Sequence, residues 1–105
     1  MSIEPYLRRG VFAVPYCDGC GRWVWPPSAR CGVCRGATRA RPYSERGSIL
    51  ECSSREGVVF CMCEFPGGVR VMGRLAAGPR RAGSTVVLSG CGMDGDAPFF
   101  EVTSV

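Results

Sequence analysis

Four cysteines in two short pairs constrain this chain more than any other feature. They are Cys17 and Cys20, then Cys31 and Cys34, in the spacing C-x2-C-x10-C-x2-C. Each pair sits in a turn-forming stretch, Tyr16-Cys17-Asp18-Gly19-Cys20-Gly21 and Arg30-Cys31-Gly32-Val33-Cys34-Arg35-Gly36. Glycine at or near the second cysteine relieves the crowding of such a turn, because it tolerates positive φ. Two turns of this kind present four thiolates to one tetrahedral ion at about 2.3 Å. Four protein ligands leave no position for water, which is the pattern of a structural site and not of a catalytic one. The sequence therefore makes Cys17, Cys20, Cys31 and Cys34 the candidate ligands of one structural zinc.

The size of the chain asks for such a staple. With 105 residues it suits one compact unit or two very small ones. A domain near this size buries only about 60–70% of its unfolded surface. Zinc contributes on the order of 10–16 kcal/mol in small zinc modules. The eight cysteines also suit a disulfide scaffold of a secreted protein. Against that, Met1-Ser2-Ile3-Glu4-Pro5 runs into Arg8-Arg9 without the apolar stretch of a leader. No segment reaches the length of a membrane span. The expected setting is reducing and cytoplasmic.

The formal net charge is +4. Four thiolates around a dication carry two net negative charges, so the loaded chain falls to about +2. That is weakly basic, unlike a strongly charged nucleic-acid binder. All 13 basic residues are arginine. Genomic base composition explains this blandly, while the planar fork of arginine also suits phosphate and carboxylate recognition. Histidine is absent. That removes the commonest acid-base group near neutral pH and excludes Ser/His/Asp and Cys/His nucleophile systems. No catalytic residue is assigned.

Along the chain, residues 2–12 are expected to form a short helix. Ile3, Tyr6, Leu7 and Val11 recur at helical spacing, Ser2 and Glu4 suit the first turn, and Pro5 is tolerated there. Residues 1–16 form this helix and lead-in, 17–44 the metal ribbon, and 45–105 a β domain. Within the ribbon, Trp23 and Trp25 either shield the metal or cover the join to the next unit, and Pro26-Pro27 stiffens the return to the second cysteine pair. After residue 44, β-branched runs alternate with glycine-rich turns. Strands are expected at 47–53, 58–64, 69–75, 84–89 and 99–105, with 90–98 a polar loop. Five strands in about sixty residues suit a small Greek-key barrel of the OB type. Gly73 marks a bulge or a tight corner. The fold class is mainly β: a short N-terminal helix, a rubredoxin-like zinc ribbon and a small five-stranded OB-type β-barrel.

Four cysteines remain. Cys61 and Cys63 share a strand face, Cys52 lies in the neighbouring strand and Cys91 in the expected loop. C-x-C without turn glycines chelates poorly, so these are read as small buried apolar residues.

The order of parts resembles the zinc-ribbon/OB-fold acyl-CoA-associated family. The likeness covers nearly the whole chain and is most specific at Cys17, Cys20, Gly21, Pro26, Pro27, Cys31 and Cys34. Glu45 to Ile49, Val71 to Leu75 and Gly83 to Leu88 carry it into the barrel. The resemblance implies a noncatalytic accessory subunit of a thiolase-like enzyme, whose ribbon and barrel pack on that partner and help shape an acyl-CoA path. The connection Ala76 to Ala82 is short for the family, and the cysteine-rich second strand is unusual in it. By the same likeness the ten-residue spacer is short for a rubredoxin iron site, although tetrahedral thiolates alone do not separate zinc from iron.

Arg70, Arg74, Arg80 and Arg81 are candidate contacts for coenzyme A phosphates or partner acids, or plain solvated surface. The alternative function is a single-stranded nucleic-acid-binding OB module. For that reading Phe60, Phe65, Phe99 and Phe100 would have to stack bases, whereas phenylalanines at strand positions are more often core.

Overall fold

A computed structural model describes residues 3–105. Ser2, expected at the helix start, lies outside them. The first element, α1 (Glu4–Arg8), is shorter than the 2–12 periodicity predicts. Pro5 occupies its first turn, Ile3 gives it no side-chain cap, and Gly10 at φ 75° turns the chain away before Val11. Leu7 is its buried anchor.

A three-stranded antiparallel sheet follows. It consists of β1 (Ala13–Cys17), β2 (Arg22–Trp23) and β3 (Arg39–Pro42), in the order β2-β1-β3. β1 is its centre, with Ala13, Val14 and Cys17 buried.

The remaining strands close a barrel: β4 (Gly47–Arg55), β5 (Val58–Phe65), β6 (Val69–Ala77), β7 (Thr85–Asp94) and β8 (Ala97–Ser104). Their order is β4-β5-β6-β8-β7, with β6 and β8 parallel and β4 closing on β7. This is the five-stranded barrel that the sequence predicts. Alternation fills it: Cys61, Cys63 and Phe65 of β5 and Val69 and Val71 of β6 point inward with Ile49, Val86 and Val102. Gly73 is a site of close approach, since a Cβ there would stand 2.9 Å from Val102 Cγ1.

Two expectations need correction. Residues 90–98 are not a loop: β7 continues to Asp94 and pairs with β8 down to Asp94↔Ala97. A register shift between Leu88 and Gly90 lets the strand carry its glycines past the barrel, and the ring of Phe99 lies over Gly92. The phenylalanines also divide. Phe65 is core, whereas Phe60 and Phe99 are exposed large apolar side chains. They stand on outward positions of strands whose opposite face is already full.

Candidate metal centre

The two cysteine turns share one design. β1 delivers Cys17, the chain reverses, and β2 returns with Cys17↔Arg22 and Tyr16↔Trp23 in register. The Gly21 N–H donates to the Cys17 carbonyl at 2.8 Å, and the Arg35 N–H to the Cys31 carbonyl at 2.9 Å. Gly21 and Arg35 thus occupy equivalent positions, and both are left-handed, at φ 65° and 61°. The second turn carries a side chain where the first has glycine, at a cost of about 1–2 kcal/mol. The bridge Arg30↔Ala37 closes its base, and buried Thr38 donates its hydroxyl to the Ser28 carbonyl at 2.5 Å.

Together the turns bring the four sulfurs within 4.8 Å of one another. Cys17 and Cys34 Sγ are 3.5 Å apart, and Cys31 and Cys20 Sγ are 3.9 Å apart. Bonds of about 2.3 Å to a central ion imply tetrahedron edges of about 3.8 Å, so the donor set fits one zinc. Cys17 and Cys31 are buried while the second cysteine of each pair faces outward.

Backbone amides favour the thiolates. Cys20 N–H points to Cys17 Sγ at 3.4 Å, Val33 N–H to Cys31 Sγ at 3.4 Å, and Gly36 N–H to Cys34 Sγ at 3.3 Å. The Cys34 and Val33 amides draw Cys31 down to about 6. Cys20 is pushed up to about 12, first by sharing a hydrogen with Cys34 and then by burial. Binding of a dication requires all four sulfurs as thiolates, so it releases the protons they hold.

The tryptophans cover the join. Trp23 meets Tyr16 and Tyr43 edge-on at 5.0 and 4.9 Å, and Trp25 meets Phe12 at 6.0 Å. Tyr43 then reaches Phe65 in the barrel, and its hydroxyl donates to the Pro66 carbonyl at 2.6 Å. Arg41 lies over the Tyr16 ring at 4.3 Å. Gly67, at φ 88° in the β5–β6 turn, sits so close that a Cβ would stand 2.7 Å from Trp23 Cδ1. Sequence reasoning did not single out Phe12, Arg41 or Tyr43. Their signal is the run of aromatic and arginine residues flanking both ends of the ribbon.

The other sequence candidates lie apart from this centre. Cys61 and Cys63 are fully buried and Cys52 and Cys91 partly so, and all are free thiols. Arg70 pairs with Glu64 at 2.9 Å and Arg74 with Glu101 at 2.8 Å, while Arg80 and Arg81 are exposed in the β6–β7 connection. Among the described residues no helix is long and apolar enough to cross a membrane.

A four-thiol ribbon joined to a five-stranded OB-type barrel defines a zinc-ribbon/OB-fold protein. Residues 6–39 match the family model described as ChsH2, rubredoxin-like zinc ribbon domain. Its fold is similar to a chain of the solved Ltp2-ChsH2(DUF35) aldolase, with a TM-score of 0.77 at 15% identity over 96% of this chain and 90% of that one. No curated protein sequence matches it.

Proposed function

We propose that this protein is a noncatalytic, zinc-binding accessory subunit of a thiolase-like enzyme acting on acyl-CoA. Cys17, Cys20, Cys31 and Cys34 ligate the single zinc, whose role is structural. The observation that carries the reading is a ChsH2-type ribbon on an OB-type barrel, in a fold that over 96% of the chain is similar to a chain of the Ltp2-ChsH2(DUF35) aldolase. The lack of any histidine supports a supporting role over a catalytic one.

In this reading residues 17–44 and 45–105 are the two docking pieces, and the aromatic join holds them at a fixed angle. Arg80 and Arg81 stand outside the ion pairs that engage Arg70 and Arg74, which leaves them for acidic groups of the partner or of the acyl carrier arm. The setting is cytoplasmic, where such thiolates stay reduced.

A tagged copy recovered from its native cells tests the proposal. We expect a thiolase-fold enzyme to co-purify in fixed ratio, and turnover of acyl-CoA to require that enzyme. Recovery of the chain alone from cells that make such an enzyme, or turnover by the chain unaided, counts against it.

A further inference from the structure

Cys52 and Cys61 face one another as direct partners across β4 and β5. Partners on antiparallel strands hold their Cα atoms about 4.5–5.5 Å apart. That lies inside the range of about 4.4–6.8 Å that a disulfide spans. Both side chains leave the sheet on the same face, as direct partners do. Their surroundings differ. Cys61 is fully buried, whereas Cys52 is partly exposed where the β4–β5 hairpin leaves the core. The partial exposure of Cys52 gives a small molecule a route to it. Cys63 is equally buried but faces Ile49 and Val71, so no thiol stands opposite it.

We propose that Cys52 and Cys61 are an oxidisable pair: Cys52 meets a hydroperoxide and Cys61 resolves the product into a cross-strand disulfide. The Cys52 sulfur attacks the peroxide, the O–O bond breaks, and Cys52 becomes a sulfenic acid as one water (or alcohol) leaves. The Cys61 sulfur then attacks Cys52, the S–O bond breaks, and the hydroxide leaves as water with the Cys61 proton. Two thiols lose two electrons and the peroxide gains them. The division of labour follows from position. Burial first, and then the neighbouring Cys52 thiol, push Cys61 up to about 12, with Arg80 working the other way. Cys61 therefore keeps its proton while Cys52 reacts. The bond would lock the β4–β5 hairpin without touching the four-cysteine site.

The zinc-loaded full chain is treated with increasing hydrogen peroxide, its free thiols are alkylated, and it is cut after arginine. Cleavage separates Cys52 (residues 47–55) from Cys61 and Cys63 (residues 56–70). We expect the two peptides to appear linked, two hydrogens lighter, while zinc is still bound. Cys63→Ala should keep the link. Cys61→Ser should lose it and raise dimedone capture of sulfenic acid at Cys52 by about five-fold or more. The wild-type map needs no variant to fold. Absence of linked peptides at doses that already release zinc, or a link that survives in Cys61→Ser, overturns the proposal.

Discussion

The ribbon and the barrel are stabilised by different means. Between residues 18 and 42 the only fully buried side chains are Cys31 and Thr38. The barrel buries Ile49, Phe65, Val69, Val71, Val86 and Val102 with two cysteines. Each such apolar side chain is worth about 1.5–3 kcal/mol, so the barrel carries its own core. The ribbon has no comparable core and depends on sulfur ligation. What joins them is aromatic: Tyr43 meets Phe12, Trp23 and Phe65 edge-on. The difference teaches that a short chain can hold a rigid shape with half a core, provided a metal does the work of the other half.

Four substitutions break or sharpen this contrast. The largest effect belongs to Cys31→Ser, which removes a buried ligand. Metal analysis should fall from one zinc per chain to none, a loss on the order of 10 kcal/mol of binding. Association with a partner should disappear with it, through disorder of the ribbon. Full zinc content and full assembly in this variant would contradict the account. Next is Phe65→Ala, the largest side chain fully inside the barrel. Denaturant unfolding should show a loss of about 3–5 kcal/mol, with zinc still bound in the folded fraction.

Gly67→Ala tests the join. The new Cβ is strained by its left-handed backbone and meets Trp23. A cost of about 2 kcal/mol and a red shift of tryptophan emission are expected, with zinc retained. Unchanged emission would mean that the ribbon does not rest on this turn. The smallest effect is a gain. Arg35→Gly supplies the residue that the first turn already has at Gly21, and should stabilise the zinc-loaded protein by about 1 kcal/mol in thermal unfolding. Stability below that of the wild type would show that the two turns are not equivalent.

Much of this was legible in the sequence, for physical reasons. Ligand spacing is local, so the doubled C-x2-C announces its own geometry. Strand alternation is also local, and it located β4, β5 and β6 closely. What escaped depends on distant partners. Tyr43 looks like the end of the ribbon until Phe12 and Phe65 are placed around it. Residues 90–94 read as a loop because glycine and polar side chains weaken the strand signal, yet β8 supplies the pairing that propensity lacks. Arg35 gives no hint of positive φ, because the turn imposes what the side chain disfavours. The phenylalanines looked alike in sequence, and only the pleat decides that Phe65 points in while Phe60 points out.

Hydrogen exchange followed by mass spectrometry, on the zinc-loaded chain and again after removal of the metal by a chelator under reducing conditions, compares both regions in one experiment. The account predicts that amides between residues 13 and 42 lose most of their protection on stripping while those between 47 and 104 keep theirs. Protection of the ribbon that survives without zinc, or its loss together with the barrel in a single step, would contradict the claim that the metal alone does for one region what a buried core does for the other.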